Sequence, residues 1–64
     1  MLWTDSLDVA IALDEVHPDF DPTFVSFVDL RKMVINLAEF DDKEDKSGEK
    51  ILEAIQMNWI EERK

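Results

Sequence analysis

The sequence predicts a small, mainly α-helical single domain over residues 1–64, with three main helices, one short helix and a helix-turn-helix at its centre. Three observations carry this. Apolar residues recur at helical spacing in three separate stretches, the pattern of helices buried along one face. Two prolines, Pro18 and Pro22, separate the first stretch from the second. Nothing alternates apolar and polar residues in the period of a strand.

The first helix is expected from Thr4 or Asp5, either of which can act as N-cap, to a point before Pro18. Proline drives the residue before it, His17, out of helical geometry. Val9, Ala12, Leu13 and Val16 make one apolar face. Leu7 and Ile11 form a second pair at i, i+4 that points largely away from it. They either pack on a neighbouring element or form an exposed patch, and the reading favours packing. Asp21-Pro22 looks like a helix start, with Asp21 as N-cap and Pro22 at the first helical position. That helix must be short, because Phe24, Val25 and Phe27 lead directly into the next periodic run. Leu30, Met33, Val34 and Leu37 predict a longer helix over about residues 29–39. Short helix, tight turn and longer helix read as a helix-turn-helix. The stretch 41–48 (DDKEDKSG) holds the sole glycine and reads as a solvated loop. Ser47 or Gly48 then caps a last helix in which Ile51, Leu52, Ile55, Asn58 and Trp59 repeat at helical spacing.

Composition narrows the function. At 64 residues the chain is near the lower limit for a fold without cross-links. It has no cysteine, which excludes disulfide staples and thiolate ligation of zinc or a cluster. Sixteen acidic against seven basic residues leave a net charge of −9. Such a chain is repelled by nucleic acid and anionic membranes and drawn to cations or basic protein surfaces. Arg31 and Lys32, on the second long helix, cannot offset the surrounding carboxylates, so the helix-turn-helix does not imply DNA binding. Trp3, Phe20, Phe24, Phe27, Phe40 and Trp59 stand among acids rather than among lysines and arginines. They are expected to pack or to meet a partner, not to stack on bases. A hydrophobic content of 45% with well-phased apolar positions argues for a folded domain. No apolar run approaches the ~18 residues of a membrane span and no basic-then-apolar leader is visible, so a cytoplasmic monomer is expected. No Gly-rich phosphate loop and no serine near a base are present, and the lone His17 reads as a surface or capping residue at a helix end. The expectation is a protein without enzymatic activity.

The carboxylates are the remaining chemistry. As hard oxygen donors they suit iron, calcium, magnesium or manganese. Asp8 and Glu15 lie on nearly the same side of the first helix, but at about 1.5 Å rise per residue their Cα atoms are about 10 Å apart. The proline-bounded segment is better suited. Asp19 and Asp21 sit on restricted backbone beside Glu15, and Asp29 at the start of the next long helix can approach if the chain turns there. Glu15, Asp19, Asp21 and Asp29 together would make a shallow, water-completed, weak site. The same residues have structural readings: Asp21 as an N-cap, Asp29 as a favourable charge at a helix N-terminus, Glu15 and Asp19 as solvated carboxylates. Glu39, Asp41 and Asp42 form a further acidic run, diluted by Lys43 and Lys46 and read as a solvated face.

The central segment His17-Pro18-Asp19-Phe20-Asp21-Pro22 stands in a particular order with others. Trp3-Thr4-Asp5-Ser6 precedes it. Val25-Ser26-Phe27-Val28-Asp29-Leu30, Glu39-Phe40-Asp41-Asp42 and Glu49-Lys50-Ile51-Leu52-Glu53-Ala54-Ile55 follow. This ordered set, from Trp3 to about Glu62, resembles the IscX (YfhJ-like) family of small acidic accessory proteins of bacterial iron–sulfur cluster assembly. The resemblance implies a winged-helix-like arrangement whose wing is reduced to the acidic loop. It implies an adaptor or regulator that docks on the cysteine desulfurase IscS, in competition with frataxin, and binds iron weakly through exposed carboxylates. Asp5, Asp8, Glu15, Asp19, Asp21 and Asp29 are then the expected docking residues. Alternatives are an iron donor or buffer, or a generic acidic interaction domain without a metal role. Four positions depart from the family pattern. Leu7 and Ile11 are usually polar or charged there, His17 is often aromatic, and Val28 stands where a capping Thr is common, so Ser26 or water must start that helix.

Overall fold

The computed structural model describes residues 1–64. Three helices form, α1 (Ser6–Val16), α2 (Phe27–Ile35) and α3 (Glu49–Glu62), with 3-10 turns at Pro22–Phe24 and Glu44–Lys46 and no β-strand. The last helix organises the fold. It packs along α1 over its most extensive contact and also meets α2 and the Pro22–Phe24 turn, whereas α1 and α2 touch little.

The buried face of each helix follows from its apolar spacing. From α1 come Val9, Ala10 and Leu13, from α2 Leu30 and Val34, and from α3 Leu52, Ile55 and Trp59. Trp3, Val25 and Leu37 close the core from the connecting segments. A fully buried aliphatic side chain contributes about 1.5–3 kcal/mol, so the predicted faces of α2 and α3 supply much of the stability. On α1 the expected face is rotated. Ala10 is buried, while Val16 at the last position is 60% exposed. The contact with α3 centres on the Val9–Ala10–Leu13 arc, which leaves Val16 at its edge. The expected packing of Leu7 and Ile11 is also corrected, since they are 53% and 36% exposed. They lie opposite the buried arc, and no other element covers that side.

Helix ends differ from expectation for local reasons. Asp5 occupies the N-cap position of α1 without capping it. Its carboxylate turns back to accept the Leu2 N–H at 2.9 Å, closing a turn with Asp5 N to Leu2 O at 3.0 Å. Asp21 does cap, accepting the Thr23 N–H at 2.9 Å, with Pro22 in the first turn. The long helix expected over 29–39 runs instead from Phe27 to Ile35. Ser26 Oγ accepts the Asp29 N–H at 3.1 Å and starts it two residues early, so Val28 needs no capping role. It ends early in consecutive turns, Leu37 N to Val34 O and Phe40 N to Leu37 O. These bring Leu37 into the core and seat Phe40 edge-on against Trp3 at 4.7 Å between ring centroids. Gly48, not Ser47, holds the N-cap position of α3.

The 41–48 stretch is tied to the rest of the fold. Trp3 N donates to Asp42 Oδ2 at 3.1 Å, and the Trp3 indole N–H donates to Lys43 O at 2.7 Å. Met1 N donates to Glu39 O, and Asp41 N to Met1 O, so the N-terminal segment lies along residues 39–43. From α2, Arg31 donates to Ser47 Oγ and Glu44 O, each at 3.0 Å. At the opposite end, Arg63 clamps α1 to α3. It pairs with Asp14, donates to His17 O at 2.6 Å and lies over the Trp59 ring. The cation that suits the carbonyl end of α1 is thus Arg63 rather than His17. The His17 ring instead packs near Phe20 and Trp59, which stack on each other at 5.6 Å.

Candidate docking face

The carboxylates are unevenly distributed. Residues 1–30 carry seven and no lysine or arginine, whereas residues 31–64 carry nine together with all seven basic residues. Only two ion pairs form, Arg63–Asp14 and Lys64–Glu61. Apart from Asp14, the carboxylates of α1 and of the turn that follows it therefore have no ion-pair partner.

The outward side of α1 carries a concave feature. A groove of about 320 Å³ is lined by Met1, Asp8, Ile11, Ala12, Glu15 and Glu39. Asp8 and Glu15 lie about two turns apart on one helix face, and Glu39 is delivered by the turns that end α2. The groove lining is divided equally between three apolar side chains and three carboxylates. Sequence spacing alone placed Asp8 near Glu15, but nothing in it could reach Glu39, which meets them through the fold.

The four carboxylates expected to hold a metal are not gathered into one group. No three His, Asp or Glu side chains anywhere stand close enough to hold an ion between them. Glu15 faces the groove, while Asp19 lies with Val16, His17, Pro18 and Phe20 around a separate shallow hollow past the end of α1. Asp21 is held farther on, in the turn that Gln56 of α3 fixes by donating to Pro22 O at 2.9 Å. Asp29 is exposed in the first turn of α2, a favourable place for an anion. The two prolines that restrict this backbone also carry it away from Glu15.

Of the residues expected at a docking surface, Asp8, Glu15, Asp19, Asp21 and Asp29 are exposed and Asp5 is half-buried. Asp5 and Asp21 accept backbone N–H groups. The Thr23 backbone and side-chain hydrogen bonds hold the Asp21 carboxyl below its ordinary range, with a smaller contribution from Arg63. Asp42 is lowered likewise, first by the Lys43 N–H and then by that of Trp3. Both stay ionised at neutral pH. Phe24 is 87% exposed at the short turn. No helix is long and apolar enough to cross a membrane.

Taken together, these features define a small, acidic, all-helical protein whose charge is concentrated on one helix and the turn beyond it. Its chain matches the family model for iron-sulphur cluster assembly over residues 1–64. It is also similar to the uncharacterized protein PA3808 of Pseudomonas aeruginosa, 61% identical over 61 residues, which cover 95% of this chain and 92% of that protein. The chain belongs to the iron–sulphur cluster assembly family of IscX/YfhJ proteins.

Proposed function

We propose that this protein is a non-enzymatic adaptor or regulator of cluster assembly that docks on the cysteine desulfurase IscS, in competition with frataxin. The observation that carries the reading is the concentration of negative charge in the first 30 residues, which hold seven carboxylates and no lysine or arginine, with Asp14 alone paired, to Arg63. Such a face is steered to a basic surface, and a second acidic protein directed to the same surface competes without any chemistry of its own. The winged-helix-like arrangement serves here as a rigid body for presenting α1. Arg31, the strongest candidate for a phosphate contact, is occupied by Ser47 and Glu44.

Iron enters as cargo or effector. Asp19, Asp21, Asp29 and Glu15 offer hard oxygen donors that suit it. In the absence of a gathered three-ligand group, binding through them is shallow, completed by water and weak. An amide-resolved NMR titration of labelled protein with Fe²⁺ under anaerobic conditions, then with the desulfurase, tests both parts. The reading expects an enzyme footprint over α1 and residues 15–21, weakening steeply with added salt. It also expects Fe²⁺ effects within that footprint that Asp19→Asn with Asp21→Asn diminishes. An enzyme footprint elsewhere overturns the docking reading. Iron effects unchanged by the two substitutions overturn the metal assignment.

A further inference from the structure

The outward side of α1 is not only acidic. At about 3.6 residues per turn, Leu7, Ile11, Glu15 and Asp8 fall in one arc of about 100°, opposite Val9, Ala10 and Leu13. Leu7 and Ile11 are adjacent on that arc at i, i+4 and keep 53% and 36% of their surface in water. Ile11 also lines the groove that Asp8, Glu15 and Glu39 rim. Single exposed aliphatics are ordinary on a protein surface. A paired ridge that continues into a groove lined by three carboxylates is a different feature. It adds nothing to the fold, because neither side chain belongs to the core.

We infer that Leu7 and Ile11 form the apolar anchor of the docking face, and that its partner is a protein surface presenting an exposed apolar side chain bracketed by lysine or arginine. This rests on the docking reading given above and adds the chemistry of the contact. Charge complementarity selects the occupant. A second copy of this chain would set Asp8 and Glu15 against their own counterparts, whereas a basic surface pairs with them and lets its apolar centre cover the ridge. The two components divide the work. Rim carboxylates accelerate encounter and create salt dependence, and a desolvated apolar centre slows dissociation.

The experiment compares binding kinetics on the cysteine desulfurase for three forms of the full chain over a range of salt concentrations. These are the native protein, Leu7→Gln with Ile11→Gln, and Asp8→Asn with Glu15→Gln. Glutamine is a good helix former, and a helical spectrum with an unchanged melting point checks that both variants fold. The expected result is a dissociation rate raised about tenfold by the two glutamines, with association rate and salt dependence retained. Leu7→Met with Ile11→Leu keeps the native rate. The carboxylate variant instead associates more slowly and loses part of its salt dependence. If the glutamine variant binds like the native chain while the carboxylate variant does not, the apolar anchor is wrong and the docking reading stands. If the native protein fails to bind, both fall. If sedimentation shows a homodimer that the glutamine variant abolishes, the occupant is a second copy and the inference is overturned.

Discussion

Two acid-rich regions of this molecule, the outward side of α1 and the loop from Asp41 to Gly48, look alike in composition and behave differently. On α1, Asp8 and Glu15 make no ion pair and no hydrogen bond that ties them to the fold. In the loop, Asp42 accepts the N–H groups of Lys43 and Trp3, and Arg31 straps down Glu44 and Ser47. Lys43 and Lys46 further offset the loop's charge. One stretch of carboxylate therefore holds the structure together, and the other makes no contact that does so. Acidic composition does not separate the two; the direction in which the backbone N–H groups of the rest of the chain point does.

The comparison can be broken at the loop. Trp3→Ala removes a side chain that is 1% exposed, its indole hydrogen bond to Lys43 and its edge contact with Phe40. A loss of about 3–5 kcal/mol is expected, enough to unfold much of a domain this small, read by urea melts followed by circular dichroism. Arg31→Ala deletes two hydrogen bonds at 3.0 Å and should cost about 1–2 kcal/mol. Faster amide hydrogen exchange confined to residues 43–48 would show that the loss is local.

The loop also has a pH signature. Asp42 has a lowered folded-state pKa because two backbone N–H groups stabilise its charged form. The stability it contributes is complete above the ordinary Asp range and is lost as pH falls through the lowered folded-state value, below about pH 4. Asp21 behaves the same way through Thr23. Asp42→Asn points an amide N–H₂ at one of two N–H donors, so it should lower the melting temperature at pH 7 and flatten its fall between about pH 4 and 2. An acid limb as steep as that of the native protein would mean that Asp42 is a bystander.

Smaller effects sharpen the contrast. A Cβ at Gly48 meets nothing within 4 Å, and the residue holds an N-cap position without a side-chain acceptor. Gly48→Ser should stabilise by about 0.5 kcal/mol, measured by the denaturant midpoint. Asp8→Asn with Glu15→Gln should shift stability by less than about 0.5 kcal/mol in either direction, while weakening desulfurase binding. A large loss of stability would mean that the α1 carboxylates are structural after all.

The sequence by itself determined that three main helices form and which stripes of α2 and α3 are buried. Leu30, Val34, Leu52, Ile55 and Trp59 follow from spacing, since a helix with one apolar stripe can only bury that stripe. Local capping was readable too, at Asp21 and at the Ser26 alternative, because a cap bonds within two or three residues of itself. The ordered acidic and proline segments carried the family. Contacts between distant residues were decided by tertiary structure alone. No local rule joins Glu39 to Asp8, Asp42 to Trp3, or Arg63 to Asp14 and His17, because each pair lies more than two dozen residues apart and meets only in the folded chain. The docking of α3 on α1 fixed the rotation of α1, burying Ala10 and leaving Val16, Leu7 and Ile11 in water. Which apolar residues form the core and which remain for a partner depends on where the neighbouring helix lies, and residue spacing along one chain segment does not contain that position.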